Sequence, residues 1–217
     1  MTGLVIKDLL VGMKTIRSYA MVVGIYAVMA VLKIFNFAFV SAFVSVMLIM
    51  LPVGAFSYDD QAKWDRYALA LPLGRRRVVG SRYLFTLLVA LGSVALSAVM
   101  GVVSSVITGE SFVECVASSF GSLGAGLVIV AVLLPLCYKL GPERARPYLY
   151  ALIFLPILAM FLAVRMGVRV DTSWLDRLEE RNPLALLGLI GLFPLGGLAA
   201  MVPSWLISCR VMEHREF

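Results

Sequence analysis

The stretch "ALALPLGRRRVVGSRYLF", residues 68 to 85, places four arginines directly before a long apolar run. From residue 83 to residue 109 this run contains no Asp, Glu, Lys, Arg or His. A helix rises about 1.5 Å per residue, so the run is long enough to cross a hydrocarbon core about 30 Å thick. The stretch therefore predicts a transmembrane helix with a strongly basic end.

The composition of the whole chain agrees with a protein that crosses the membrane several times. Of its 217 residues, 61% are hydrophobic and 15% are charged, whereas about 25% of a soluble domain is charged. We predict an all-α, polytopic membrane protein in which residues 1–217 form a single transmembrane domain. Runs without charge predict six spans, at about residues 18–33, 34–58, 83–109, 115–138, 147–164 and 182–209.

The distribution of Lys and Arg predicts the orientation, because cytoplasmic loops carry the excess of these residues. With six spans and both termini in the cytoplasm, the cytoplasmic side holds 14 of the 19 basic residues. We therefore expect a multi-pass protein of the plasma membrane with both termini in the cytoplasm, and an extracellular loop or short helix at residues 165–181. The cytoplasmic basic residues are Lys7, Lys14, Arg17, Lys63, Arg66, Arg75, Arg76, Arg77, Arg82, Lys139, Arg144, Arg146, Arg210 and Arg215.

Four arginines are predicted to anchor the third span to the lipid headgroups. They are Arg75, Arg76, Arg77 and Arg82. Residues 1–17 are predicted to form an interfacial helix, because most of their apolar side chains fall on one helical face and Lys7, Asp8 and Lys14 on the other. Leu4 and Val11 fall on the polar face.

A second amphipathic helix is predicted between spans two and three, at residues 59–72. Asp59 and Asp60 suit the first turn of a helix. The residues Trp64, Tyr67, Ala68 and Leu71 then recur with the spacing of one helical face. The opposite face carries Lys63, Asp65 and Arg66, a mixed-charge surface that suits a protein partner.

Signals for chemistry within the chain are sparse. Apart from Lys33 at the end of the first, no predicted span contains Asp, Glu, Lys, Arg or His, and the single histidine is His214. Proton-coupled carriers and channels place such groups in the membrane. The glycines of "GRRRVVGSR" (74–82) have five residues between them, whereas a phosphate-binding loop has four and then a lysine. If this chain transports anything, its energy coupling must therefore come from elsewhere.

Two stretches resemble the ABC-2-type transporter permeases, in particular the short six-helix bacterial branch that includes permeases of phenol-soluble-modulin-type peptide exporters. The first is "LVIKDLL" (4–10), and the second is "SYDDQAKWDRYALALPLGRRRVVGSRYLF" (57–85), the segment after the second helix. Gly74 departs from the usual serine. The matching elements are Asp59, Asp60, Lys63, Trp64, Asp65, Tyr67, Leu71, Pro72, Arg75, Val79, Arg82 and Tyr83.

This resemblance implies the permease subunit of an ATP-binding-cassette (ABC) exporter, which is not itself an enzyme. Two copies of a separate ATPase would bind ATP and Mg, and a second permease chain would complete a homodimer or heterodimer. Residues 59–72 would be the coupling helix, in which Asp59, Asp60, Lys63, Trp64, Asp65, Arg66, Tyr67 and Leu71 dock the ATPase.

The expected cargo is hydrophobic or amphipathic, either a peptide or a lipid-like molecule, and no nucleic-acid partner is expected. An ATPase-independent carrier or channel is the alternative, and an intramembrane enzyme is a more distant one.

Overall fold

The computed structural model describes residues 2–34, 36–64, 67, 74–109, 111–167 and 183–214. All regular structure in these residues is α-helical. Six long helices follow one another in the chain: α1 (Thr2–Val31), α2 (Phe37–Gln61), α3 (Arg75–Thr108), α4 (Phe112–Leu140), α5 (Pro142–Arg165) and α6 (Pro183–Glu213).

Helices α4 and α5 contain the spans predicted at 115–138 and 147–164 and extend each at both ends. Helix α6 covers the span predicted at 182–209 from Pro183 onwards and continues to Glu213. The junction of α4 and α5 follows from the sequence Gly141-Pro142. Gly141 has a φ of +84°, which glycine adopts without steric cost, and Pro142 begins α5. Helix α5 ends at Arg165, so most of the predicted extracellular segment 165–181 lies outside the described residues.

Helix α3 begins eight residues before the third span predicted at residues 83–109. Arg75 to Arg77 form its first turn, after Gly74 with a φ of +70°, and Arg82 lies two turns into the helix. A search for uncharged runs cannot see this extension, although arginine is a good helix former. The four arginines therefore belong to the helix and do not precede it.

Helix α1 corrects the expectation of a separate interfacial helix. Residues 1–17 and 18–33 were predicted as two elements, whereas Thr2–Val31 is one continuous helix. No proline interrupts this stretch, and Lys, Arg, Met and Leu favour helix throughout it.

The described residues contain five helices long and apolar enough to cross a membrane, α2 to α6. The apolar part of α1, Thr15–Ala30, is shorter. The count of six spans therefore stays a prediction.

The end of α2 corrects the predicted start of the coupling helix. Asp59 and Asp60 lie in the last turn of α2 and not in the first turn of a new helix. Helix α2 ends at Gln61, and two residues further on Lys63 adopts a left-handed φ of +51°. Beyond that point, Trp64 and Tyr67 are described and helical, whereas residues 65, 66 and 68–73 lie outside the described residues.

The helices alternate in direction, so the bundle has two distinct ends. At one end, which we call the charged end, Lys7 of α1 meets Asp59 of α2, and Arg75 of α3 meets the last residues of α6. At the other end, Phe37 at the start of α2 packs near Gly101 of α3 and Cys115 near the start of α4. The N-terminal part of α1 and the C-terminal end of α6 therefore lie at the same end of the bundle.

Helix α4 lies at the centre and packs most extensively against α6 and α2. Its contact with α6 depends on two glycines: a Cβ added to Gly124 would lie 2.6 Å from the Phe193 side chain, and one added to Gly197 would lie 2.7 Å from Leu127. Small residues let membrane helices approach this closely. The hydroxyl of Tyr83 adds a polar link from α3, at 2.6 Å from Ser204 Oγ and 2.8 Å from Ser208 Oγ of α6.

Replacing Gly124 with alanine should force α4 and α6 apart, because the new Cβ would also lie 2.8 Å from the Phe193 carbonyl carbon. We expect Gly124→Ala to lower the free energy of unfolding by about 1 to 3 kcal/mol, measured by SDS titration of the purified chain in detergent micelles. Gly121→Ala is the matched control, because nothing lies within 4 Å of a Cβ at that position. Equal unfolding midpoints for the two variants would contradict this account of the helix contact.

Candidate functional site at the charged end

Four ionisable side chains from three helices form what we call the buried ion cluster: Lys7 and Asp8 of α1, Asp59 of α2 and Arg82 of α3. Lys7 Nζ donates to both carboxylate oxygens of Asp59, at 2.7 and 2.9 Å, and lies 3.2 Å from Asp8 Oδ1. Arg82 donates to Asp59 through Nη2. Its Nη1 lies 3.1 Å from Asp8 Oδ1, an ion contact without hydrogen-bond alignment.

The cluster balances two positive and two negative charges away from water. The side chains of Asp8 and Arg82 are only 4% and 7% exposed. Burial raises the pKa of Asp8, and the attraction of Arg82 and Lys7 only partly opposes this effect. Since a buried charge without a partner costs several kcal/mol, each of the four groups depends on the others.

One aromatic ring packs against each of the two cations of the cluster. The Lys7 ammonium lies 4.3 Å from the centroid of the Trp64 ring, and the Arg82 guanidinium carbon lies 4.6 Å from that of Phe56. Phe56 in turn packs edge-on against Tyr138 of α4, with ring centroids 4.8 Å apart. A cation over an aromatic face is stabilised most where water is excluded. The cluster is therefore joined to α4 and to the residues that follow α2.

The predicted membrane anchors separate into two groups in the structure. Arg82 is buried among carboxylates, so its assignment to the lipid headgroups is wrong for this conformation. The others begin α3 at the surface: Arg75 donates to the backbone carbonyls of Met212 and Glu213 at the end of α6, and Arg76 Nε lies 2.8 Å from Glu213 Oε1. Arg75 and Arg76 tie α3 to α6, and Arg75 satisfies the last carbonyls of that helix. Arg77 is exposed.

The predicted docking residues also differ in their surroundings. Asp59 is buried within the ion cluster, whereas Asp60 and Lys63 are exposed. Trp64 is half-buried against Lys7, and Tyr67 is 71% exposed. The remaining docking residues, Asp65, Arg66 and Leu71, lie outside the described part of the chain.

Sequence reasoning did not predict that Lys7 and Asp8 belong to this site. Lys7 is 52 residues away from Asp59 in the sequence. No local sequence pattern predicts a contact over that separation. A signal was nonetheless present, because adjacent opposite charges interrupt the otherwise apolar "LVIKDLL". Such charges beside a membrane-spanning run are expected to find partners.

The fold defines a polytopic helical membrane protein, and within the described part of the chain the buried ion cluster and most exposed basic residues lie at one end. A family model described as "ABC-2 family transporter protein" matches residues 3–213. The chain therefore belongs to the ABC-2 transporter family. Comparisons with curated proteins and with solved structures gave no match.

Removing the Arg82 guanidinium should destabilise the fold, because Asp8 and Asp59 would then share a single cation. Breaking a buried ion pair from one side costs about 3 to 5 kcal/mol, so we expect a loss of this size for Arg82→Met in the SDS titration. Arg77→Met removes an exposed arginine from the same helix and should leave the unfolding midpoint unchanged.

A charge-balanced variant separates this effect from a change of side-chain shape. Adding Asp8→Asn to Arg82→Met leaves one cation, Lys7, and one anion, Asp59, and should recover part of the lost stability. If Arg82→Met and Arg77→Met unfold at the same midpoint, the buried ion cluster does not support the fold.

Proposed function

We propose that this chain is the membrane-spanning permease subunit of an ABC exporter, driven by ATP hydrolysis in a separate ATPase subunit. Membership of the ABC-2 transporter family supports an ABC ATPase as the partner in general. In this proposal the ATPase binds at the charged end, and the coupling helix is the segment that follows α2, up to residue 72, because Asp59 and Asp60 belong to α2 itself. The observation that carries the proposal is Tyr67, an aromatic side chain that is 71% exposed just beyond the end of α2.

The charge of the bundle supports placing this end in the cytoplasm. The exposed basic residues near the charged end are Lys63, Arg76, Arg77, Lys139, Arg144, Arg146 and Arg210. The described residues at the opposite end include Lys33, Glu114 and Arg165. Lys and Arg accumulate on the cytoplasmic side of membrane proteins. Both termini would then be cytoplasmic, since the first and last helices meet the charged end.

Two aromatic residues supply the proposed contact with the ATPase. Tyrosine and tryptophan are common energetic anchors of protein interfaces, because they bury a large area and still offer a polar group. Tyr67 presents most of its surface to a partner, whereas Trp64 is held at the base of the segment by Lys7. We therefore assign the larger direct contact to Tyr67.

A second permease chain is part of the proposal. Beyond Leu149, helix α5 exposes apolar side chains around most of its circumference, including Phe154, Leu158 and Phe161. Only 6% of the residues in its most apolar stretch are buried within the chain. Lipid or a second permease chain, identical or related, must cover this surface. The cargo that suits such an apolar bundle is a hydrophobic or amphipathic peptide or a lipid-like molecule.

Shortening the docking aromatics should release the ATPase. We expect Tyr67→Ala and Trp64→Ala each to weaken ATPase binding by about 2 kcal/mol, about thirtyfold in Kd, as measured by titrating purified ATPase onto the reconstituted permease. Lys63→Ala is the control from the same segment. Its exposed charge should matter much less, since solvent screens such contacts.

The outcome also separates docking from membrane anchoring. Interfacial tryptophan and tyrosine commonly hold a helix in the lipid headgroups without contacting any protein. If the double variant Trp64→Ala/Tyr67→Ala retains the ATPase at wild-type affinity, the aromatics serve the membrane and the docking role is wrong. Unchanged SDS unfolding of the variants would show that the permease itself remains folded.

A further inference from the structure

The Lys7 ammonium connects the start of the chain to the proposed docking segment. Its Nζ lies 2.7 and 2.9 Å from the two carboxylate oxygens of Asp59 and 4.3 Å from the centroid of the Trp64 ring. Asp59 also accepts from Arg82 of α3. One ammonium group therefore joins α1 to the last turn of α2 and to the first residue described beyond it as helical.

We propose that the buried ion cluster, with Lys7 at its edge, positions the docking aromatics relative to the helix bundle. The proposal rests on the proposed function, in which Trp64 and Tyr67 contact the ATPase. It adds a role for the N-terminal helix: α1 holds the base of the coupling helix, so a displacement of that segment acts on α1 and α3 together. Lys7, Asp8, Asp59 and Arg82 are in this sense positioning residues and do not themselves contact the ATPase.

Lys7 is the residue of the cluster that contacts Trp64, and its contacts explain how it can position that ring. Its side chain is 24% exposed, so water screens its contacts only in part. Two hydrogen bonds to one carboxylate restrict where the ammonium can lie, and the Trp64 ring packs over that restricted charge. A cation–π contact of a partly desolvated ammonium favours one placement of the ring. The placement of Trp64 is therefore tied to the charge at position 7.

The balance of charge makes the four residues of the buried ion cluster depend on one another. Lys7 and Arg82 neutralise Asp8 and Asp59, and the loss of any one group leaves a buried excess charge. A purely structural cluster would need this balance too. A positioning role differs from a purely structural one in a measurable way. If the cluster positions Trp64, this side chain should move when Lys7 is lost, even in a variant whose remaining charges are balanced.

Fluorescence of the full-length chain tests the position of Trp64 without any ATPase. The chain has three tryptophans, so Trp174→Phe and Trp205→Phe leave Trp64 as the only emitter. Loss of the covering ammonium should raise the acrylamide quenching constant of Trp64 about twofold in Lys7→Met. The same rise is expected in Lys7→Met/Asp8→Asn, which keeps one anion paired with one cation and so guards against misfolding.

Two controls hold the rest of the chemistry constant. Lys7→Arg keeps a cation over the ring and should show the quenching of the parent. Lys139→Met removes an exposed lysine at the charged end and should also leave quenching unchanged. If Lys7→Met and its charge-balanced partner quench like Lys139→Met, the positioning role is overturned.

Titration of purified ATPase then tests whether this position matters for docking. We expect Lys7→Met to bind about tenfold more weakly and Lys7→Arg to bind like the parent. If Lys7→Met binds at wild-type affinity while Trp64→Ala does not, the cluster does not position the docking site and the inference is overturned. Failure of the proposed function looks different, because Trp64→Ala/Tyr67→Ala would then retain the ATPase whatever the quenching shows.

Discussion

The four charges of the buried ion cluster constrain the charged end, because none of them is stable in an apolar bundle without the others. Each would cost several kcal/mol if buried without a partner. They come from residues 7, 8, 59 and 82, so their mutual neutralisation fixes how α1, α2 and α3 stand against one another. Through Phe56 and Tyr138 the same cluster contacts α4. Two helix starts, of α1 and α3, and two helix ends, of α2 and α4, are thus tied together at the charged end.

The rest of the bundle is held by closer and less polar contacts. Helix α4 lies against α6 at Gly124 and Gly197, where backbones approach because no Cβ intervenes. Tyr83 adds hydroxyl contacts to Ser204 and Ser208. Such packing is what associates helices in lipid, where the hydrophobic effect no longer drives them together. The packing around α4 therefore holds α4 against its neighbours, whereas the buried ion cluster joins α1, α2 and α3 and also contacts Trp64 beyond α2.

Much of this architecture follows from local sequence, and the exceptions have physical causes. Uncharged runs locate the helices because every backbone group in a bilayer must be satisfied within the segment. They do not locate helix ends, since charged residues such as Arg75 and Asp59 are equally able to be helical. The join of residues 17 and 18 within α1 was missed because amphipathic and apolar stretches are both compatible with one continuous helix. The meeting of Lys7 with Asp59 depends on tertiary packing, which no local pattern encodes.

The proposed orientation, in which the charged end faces the cytoplasm and an ATPase can reach it, is tested most directly by side-specific labelling of single cysteines. Arg77 and Glu114 are both exposed and mark the two ends of the bundle, whereas the native cysteines Cys115, Cys137 and Cys209 are buried. In cells expressing each variant, a membrane-impermeant maleimide should label Glu114→Cys without permeabilisation and Arg77→Cys only after it. Labelling of Arg77→Cys from outside intact cells, with Glu114→Cys protected, would place the charged end outside and contradict the account.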